Sequence, residues 1–202
     1  MTRHYDSILF DFDGVLADTE SIHWACWVEI VAPLGIDLSW DNYCANCIGV
    51  ADLDMLEILA SFARRPIEAE TLRPQYARKK ELFRKRIAEA NPCAVETVEL
   101  IRSLTDYRLA VVTSSGRLEV EPALVGAGIR QLFGAVVFGD DVAKHKPSPE
   151  PYLLAAARLG ANQPLVVEDS DAGVASAKAA GFDVIQVPSA AHVPGLVRSA
   201  LR

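Results

Sequence analysis

Long hydrophobic runs are missing from this 202-residue sequence, although half of its residues are hydrophobic. No stretch reaches the roughly 20 apolar residues that a membrane-spanning helix needs. The N-terminal segment also lacks the apolar core of a secretion signal. We therefore expect a cytoplasmic protein with no membrane partner. The length and the apolar content suit one domain with an insertion.

Cysteine is scarce: the chain has four, of which Cys44 and Cys47 have the spacing of a C-x-x-C motif. No second pair of matching spacing follows, so a structural zinc site would need ligands from elsewhere in the chain. No thioredoxin-like pattern flanks the motif, which argues against a redox role. We expect reduced, partly buried cysteines.

Basic residues are in the minority. Lysine and arginine number 20 against 27 acidic residues, which gives a net charge of −7 and a pI near 5.1. This balance argues against nucleic acid as the main partner and leaves a small anionic substrate open. The basic residues concentrate between Arg64 and Arg86, where apolar residues recur at helical spacing. That pattern predicts an amphipathic helix with a solvated basic face.

The most informative stretch is an apolar run that ends in two aspartates and a glycine. Ile8–Phe10 lead to Asp11 and Asp13, and Gly14 follows. The run predicts a buried parallel strand, and its C-terminal end is where open α/β sheets place their ligands. Two carboxylates with separate environments can act as nucleophile and as acid/base, with a metal ion to offset their repulsion. The alternative is a helix-capping aspartate beside a solvated one.

Helical and strand patterns divide the chain. Residues 17–91 carry only helical patterns, and the predicted helices cover residues 19–34, 40–47, 53–63 and 71–90. From residue 92 onward helices alternate with strands, which are predicted at 108–113, 135–138, 164–169 and 183–187. This alternation predicts a parallel sheet with helices on both faces. The predicted fold class is therefore α/β, with a three-layer Rossmann-like core of parallel strands (1–16 and 92–202) and an inserted all-helical cap (17–91).

Three further polar clusters follow the predicted core strands or the loops after them. They are Thr113-Ser114-Ser115, Lys146-Pro147 and Glu168-Asp169-Ser170-Asp171. Because parallel strands end at one edge of a sheet, we expect these clusters to meet Asp11 and Asp13. Together they supply a nucleophile, donors to phosphoryl oxygens and an acid/base, which phosphoryl transfer needs. Acidic oxygen ligands select a hard cation such as Mg²⁺.

Each cluster also has an ordinary structural explanation. The hydroxyl residues from Thr113 to Ser115 could cap the helix predicted near Leu118. Lys146 could be a surface lysine. Glu168 and Asp169 could be charges at a helix N-terminus. We favour the catalytic interpretation because the clusters together supply the groups that a phosphoryl-transfer site needs.

In their order along the chain, these segments resemble the four motifs of the haloacid dehalogenase superfamily. The matching residues are Asp11-Phe-Asp13-Gly-Val, Thr113, Lys146-Pro147 and Glu168-Asp169-Ser170-Asp-Ala-Gly173. The helical insertion resembles the small cap of the subfamily that contains beta-phosphoglucomutase and phosphoglycolate phosphatase. The resemblance covers essentially the whole chain and implies a phosphoric monoester hydrolase.

The resemblance also implies roles for the acidic residues. Asp11 would attack phosphorus and become an aspartyl phosphate, while Asp13 would protonate the leaving oxygen and then activate water. The implied Mg²⁺ ligands are Asp11, the main-chain carbonyl of Asp13 and Asp169, with Glu168 binding directly or through water. Dehalogenases of the superfamily lack the second aspartate of the first motif, so Asp13 favours phosphate ester chemistry.

The remaining implied residues hold the substrate. Thr113 and Lys146 complete the catalytic set by holding the phosphoryl group. The substrate-binding set is Ser114, Ser115, His23 and Lys79. His23 aligns with a hinge histidine of beta-phosphoglucomutase, and Lys79, with Arg78 as the alternative, aligns with a cap lysine. For the histidine, the alternative is a cap-helix residue satisfied locally.

One departure from the family pattern bears on the reaction. Beta-phosphoglucomutase has Gly-Val-Ser-Arg in its cap, and its arginine grips a second phosphate. Here the matching stretch is Gly49-Val50-Ala51-Asp52, which replaces a bidentate cation with an acid. We therefore expect a Mg²⁺-dependent phosphatase that acts on a small phosphorylated metabolite, and a sugar phosphate is the substrate class that we favour. The alternatives are a phosphomutase and a catalytically silent binding protein, and we expect a monomer, with a dimer as the second possibility.

Overall fold

The computed structural model describes residues 4–48, 50, 54–90 and 92–202. The chain divides into two compact units, one of Met1–Asp18 with Asn91–Arg202 and the other of Thr19–Ala90. The first unit carries the sheet, and the second is built from helices. We keep the boundaries after residues 16 and 91 as the proposed domain division.

Five parallel strands form the sheet of the first unit, in the order β3-β2-β1-β4-β5. The strands are β1 (Ser7–Phe10), β2 (Arg108–Val112), β3 (Phe133–Val137), β4 (Pro164–Glu168) and β5 (Asp183–Gln186). The central strand β1 pairs with β2 and β4, so that Phe10 lies opposite Val111 on one side and Val167 on the other. The register places the residues after β1 and β4 side by side.

The neighbouring strands β1 and β4 are buried on both faces, as their continuous apolar sequences predict. Successive residues Ile8, Leu9 and Phe10 are all fully buried, although their side chains alternate between the faces. The parallel sheet and the helical insertion confirm the predicted fold class.

The helices of the first unit are α5 (Val95–Ser103), α6 (Arg117–Gly126), α7 (Glu150–Leu159), α8 (Asp171–Ala179) and α9 (Val193–Ala200). Helix α9 was not predicted from the sequence. Its second and third residues, Pro194 and Gly195, resemble a turn signal. Proline is nevertheless accepted in the first turn of a helix, because the amides there have no intrahelical partner. The other predicted elements differ from the observed ones by at most three residues at their ends.

The second unit contains α1 (Glu20–Val31), α2 (Trp40–Asn46), α3 (Met55–Ser61) and α4 (Ala69–Ala90). Its apolar core includes the buried side chains of Trp27, Leu59 and Leu72.

The four cysteines are free thiols, with Cys44 exposed and the other three buried. None of the helices within the described ranges is long and apolar enough to cross a membrane.

The connections to the inserted segment begin and end at neighbouring points of the first unit. The Asp18 amide donates to the Pro92 carbonyl across 3.2 Å. The chain therefore leaves and re-enters the sheet unit at two residues that are hydrogen-bonded to each other.

Replacing Leu9 by alanine should destabilise the protein by about 2–5 kcal/mol, because it leaves a cavity at the centre of the sheet. Leu9 is fully buried, whereas Leu118 on α6 is 62% exposed. Leu118→Ala is therefore the control, and we expect it to stay within about 0.5 kcal/mol of the parent. Urea unfolding followed by circular dichroism measures both. Equal losses would contradict the assignment of the core.

Candidate active site

A tight turn follows β1 and separates the two aspartates of the first motif. The Asp11 amide still donates to the Val167 carbonyl at 2.9 Å, so Asp11 continues the strand pairing. Gly14 then adopts a left-handed conformation with φ of +69°, which other residues rarely accept. The turn leaves Asp11 6% exposed, while Asp13 is half-buried.

Lys146 lies in the buried centre of the candidate site. Its side chain is 6% exposed, so the interpretation as a surface lysine is wrong. The ammonium donates to Asp11 Oδ1 at 2.6 Å, to the Val112 carbonyl at 3.0 Å and to Glu168 Oε1. Its three N–H groups are therefore matched by three acceptors.

Glu168 is fully buried at the end of β4. The residue that caps α8 is Ser170, so Glu168 is not a charge on that helix's first turn. Besides the Lys146 ammonium, it accepts hydrogen bonds from the Asp169 amide at 3.1 Å and the Ser170 amide at 3.2 Å. These contacts satisfy a buried carboxylate that would otherwise be costly.

Asp13 is held by hydroxyl groups that follow β2. Its Oδ2 accepts from the Ser115 hydroxyl at 2.7 Å and is 3.4 Å from the Thr113 hydroxyl. Gly116 is the N-cap of α6, which contradicts the interpretation of Thr113 to Ser115 as that helix's cap. Ser114 is exposed. The structure thus brings Ser115 and Thr113 to Asp13, as expected for the cluster that follows β2.

One group of acids among the described residues is close enough together to hold a metal ion. Carboxylate oxygens of Asp11, Glu168 and Asp169 lie within 4.8 Å of one another. At Gly14, the space that a side chain would occupy is filled by the Asp169 carboxylate. An anionic set made only of oxygen atoms fits a hard divalent cation.

Burial and mutual repulsion shape the charges of this group. Burial raises the pKa of Asp11 well above its ordinary value, and Lys146 opposes this effect while Glu168 and Asp13 add to it. Burial, with the negative charge of Glu168, raises the pKa of Asp169 to about 6. For Lys146, burial lowers the pKa, but Asp11 and Glu168 outweigh it and the net change is upward. A bound cation would favour the ionised form of these acids.

The two predicted cap residues form a cluster of their own in the helical unit. Lys79 Nζ lies 2.6 Å from His23 Nδ1, and the His23 ring stacks on Phe83 with centroids 3.9 Å apart. Lys79 is 1% exposed and lies 5.5 Å from the centroid of the Trp27 ring. The basic run therefore does not form a uniformly solvated face.

Sequence reasoning missed Tyr152, a fully buried residue in the first turn of α7. Its hydroxyl donates to Glu168 Oε1 at 2.7 Å. Burial, followed by the negative charges of Glu168 and Asp11, raises the pKa of Tyr152 well above its ordinary value. The available signal was its helical spacing with Ala155 and Ala156, which predicts a buried tyrosine whose hydroxyl needs a partner.

The model of the haloacid dehalogenase-like hydrolase family matches residues 8–187 of the sequence. The chain belongs to this family. The match extends from β1 to the end of β5 and includes every acid of the candidate site.

Two relatives of similar sequence are named as phosphatases. Fructose-1-phosphate phosphatase YqaB of Escherichia coli (strain K12) is 30% identical over 191 residues, which cover 93% of this chain and 98% of the relative. A phosphorylated carbohydrates phosphatase of Thermotoga maritima is 30% identical over 182 residues, which cover 89% and 83%. The family match and these relatives confirm the predicted enzyme class, a phosphatase.

A solved structure with the same fold is CbbY from Rhodobacter sphaeroides in complex with phosphate. It superposes with a TM-score of 0.72 at 29% identity, over 92% of this chain and 87% of that chain. This similarity agrees with the parallel sheet and its helical insertion.

In the metal-free protein, Asp169→Asn should increase stability at pH 7 but not at pH 4. The pKa of Asp169 is about 6 in the folded state against 3.8 for an ordinary aspartate, so stability falls as the pH rises through this window. The penalty above pH 6 is at most about 3 kcal/mol, and solvent screening reduces it. Urea unfolding in EDTA at both pH values measures the difference.

The exposed loop residue Asp106 supplies the control for this experiment. Asp106→Asn should leave the stability difference between pH 4 and pH 7 as it is in the parent. A metal-free Asp169→Asn protein that is less stable than the parent at pH 7 would contradict the repulsion among the acids. Added Mg²⁺ should stabilise the parent more than the variant, which lacks one proposed ligand.

Proposed function

We propose that this protein is a Mg²⁺-dependent phosphatase that hydrolyses a small phosphorylated metabolite, a sugar phosphate, through an aspartyl phosphate on Asp11. The observation that carries the proposal is the 2.6 Å contact between the Lys146 ammonium and the buried Asp11 carboxylate, beside two further acids. A carboxylate nucleophile next to a fixed cation is the arrangement that phosphoryl transfer needs.

In the first step, an Asp11 carboxylate oxygen attacks phosphorus and the bond to the ester oxygen breaks. Asp13 gives a proton to the departing oxygen. The contacts of Asp13 with Ser115 and Thr113 support this role, because they fix the position of its carboxyl group beside the nucleophile.

In the second step, Asp13 takes a proton from water, and the water oxygen attacks the phosphorus of the aspartyl phosphate. The bond to Asp11 breaks, inorganic phosphate leaves and the Asp11 carboxylate is restored. Lys146 and Thr113 hold the phosphoryl oxygens through both steps.

Asp11, Asp169 and the main-chain carbonyl of Asp13 would hold Mg²⁺, with Glu168 acting through a water molecule because its oxygens already accept hydrogen bonds from Lys146, Tyr152, Asp169 and Ser170. When bound, the ion supplies positive charge to the phosphoryl oxygens and offsets the repulsion among the acids.

The relatives support a sugar phosphate as substrate. The Escherichia coli relative is named for fructose 1-phosphate and the Thermotoga maritima relative for phosphorylated carbohydrates. We assign substrate selection to the helical unit, including the cluster of His23 and Lys79. In the same proposal the protein is a cytoplasmic monomer, with a dimer as the alternative and no nucleic acid partner.

A phosphomutase of the beta-phosphoglucomutase type is the alternative. It is disfavoured by Asp52, which occupies the position of the arginine in the mutase pattern. Asp52 lies outside the described residues, so this argument rests on the sequence. A mutase must hold a bisphosphate intermediate in two orientations, and a carboxylate offers no clamp for the second phosphate.

With beta-glucose 1-phosphate, catalytic beta-glucose 1,6-bisphosphate and Mg²⁺, we expect inorganic phosphate and no isomerised product. ³¹P NMR follows both products in one sample. Stoichiometric glucose 6-phosphate with little inorganic phosphate would show a mutase instead. A panel of sugar phosphates tested in parallel identifies the substrate class. Asp11→Asn is the control, and it should lose at least about 10³-fold in turnover because the nucleophile is gone.

Asp13→Asn should impair esters with poor leaving groups far more than esters with good ones. For an alkyl phosphate we expect a loss of about 10²–10⁴-fold, because the departing alkoxide needs a proton. The phosphorylation step with p-nitrophenyl phosphate should lose much less, since p-nitrophenolate leaves without one. Rapid-quench measurement of the first turnover separates this step from hydrolysis. Equal losses for both esters would exclude Asp13 as the general acid.

A further inference from the structure

Tyr152 lies outside the family motifs but contacts the candidate site directly. It is fully buried on α7, and its hydroxyl is 2.7 Å from Glu168 Oε1. The Lys146 ammonium lies 5.2 Å from the centroid of the tyrosine ring and donates to the same Glu168 oxygen. Tyrosine and lysine therefore share one acceptor atom.

That shared atom belongs to a carboxylate whose orientation is fixed on both sides. Oε2 accepts from the amides of Asp169 and Ser170 and from the Ser170 hydroxyl, at 3.1–3.2 Å. Oε1 accepts from Lys146 and Tyr152, which occupies its two lone pairs. At Gly173, the space of a side chain is taken by the Glu168 carboxyl group, so a larger residue there would displace it.

The position of the Lys146 ammonium depends on this carboxylate. Of its three acceptors, the Val112 carbonyl is part of the sheet, Asp11 is the proposed nucleophile and Glu168 is the third. A lysine side chain has a flexible four-carbon stem, so its acceptors define where the charge lies. Without the Tyr152 hydroxyl, Glu168 Oε1 would be held by the lysine alone, and the two groups could shift together away from Asp11.

We propose that Tyr152 is a positioning residue, which acts through Glu168 to hold the Lys146 ammonium against Asp11 and against the phosphoryl oxygens of the substrate. The inference rests on the proposed function for the identity of that substrate. Tyr152 also packs in the sheet core with Leu9 and Val166, and its ring suffices for that contact. Removal of the hydroxyl alone therefore separates positioning from packing.

The test compares Tyr152→Phe with a matched control, Tyr43→Phe. Tyr43 is 2% exposed, and its hydroxyl donates to Glu20 Oε2 at 2.7 Å in the helical unit. Both variants lose one hydrogen bond from a buried tyrosine to a carboxylate, so the melting temperature should fall in both. Only Tyr152→Phe should lose about 10–100-fold in kcat, a range typical of residues that orient a reacting group. The loss should be equal for p-nitrophenyl phosphate and a hexose phosphate, because Lys146 acts on the phosphoryl group.

A second comparison tests whether the effect passes through Lys146. In a Lys146→Arg background, adding Tyr152→Phe should cost less than about threefold, because effects that share one partner are not additive. A merely structural role would reduce kcat by the same factor in both backgrounds. That outcome, or full activity of Tyr152→Phe with a lowered melting temperature, would overturn the inference.

Calorimetry with orthophosphate in the presence of Mg²⁺ separates failure of this inference from failure of the proposed function. Wild-type protein that hydrolyses no phosphate ester would refute the function, while the phosphate affinity would still decide the role of Tyr152. We expect Tyr152→Phe to bind orthophosphate about tenfold more weakly than wild type and Tyr43→Phe to bind it equally well. Unchanged affinity in Tyr152→Phe, or no binding to wild type, would refute the positioning role.

Discussion

The charge balance around the Lys146 ammonium is the constraint on which the rest of the site depends. Asp11 and Glu168 are buried acids at the ends of neighbouring strands, and the register of β1 against β4 sets them side by side. Two such acids repel each other strongly unless a cation lies with them. The ammonium contacts both and is itself anchored on the Val112 carbonyl, so the sheet fixes the geometry of the charges.

The left-handed turn at Gly14 gives two identical side chains different surroundings. Asp11 continues the direction of β1 and is buried with Lys146. Asp13 instead contacts the hydroxyl groups of Thr113 and Ser115. The environment of a carboxyl group decides whether it acts as a nucleophile or as an acid and base. A single backbone feature thus distinguishes two residues that the sequence presents as equivalent.

The sequence predicted the sheet and the meeting of Asp11 with Lys146 because both follow from simple rules. Apolar runs fold as buried parallel strands, and residues that follow such strands share one edge of the sheet. The resemblance to the family motifs then predicted roles for Asp11 and Lys146.

Contacts that depend on packing between distant elements were not predictable in this way. Tyr152 meets Glu168 only because α7 packs on the sheet, and its hydroxyl carries no motif of its own. Lys79 sits in a basic run that indicates solvent exposure, yet its position on α4 places it against His23 and Phe83. Neighbours in sequence do not reveal which side of a long helix is covered.

The hydrogen bond between Asp18 and Pro92 has a consequence for how this chain can diversify. The inserted segment starts and ends beside two residues that are hydrogen-bonded to each other. The sheet unit therefore holds the two ends of the insertion together, as it would hold the ends of a loop. The entropy of closing such a loop changes by only about 0.6 kcal/mol for each doubling of its length. The helical segment can therefore be lengthened, shortened or exchanged while the sheet and its buried charges stay in place, so that under the proposed function the substrate can change without a change in the catalytic residues.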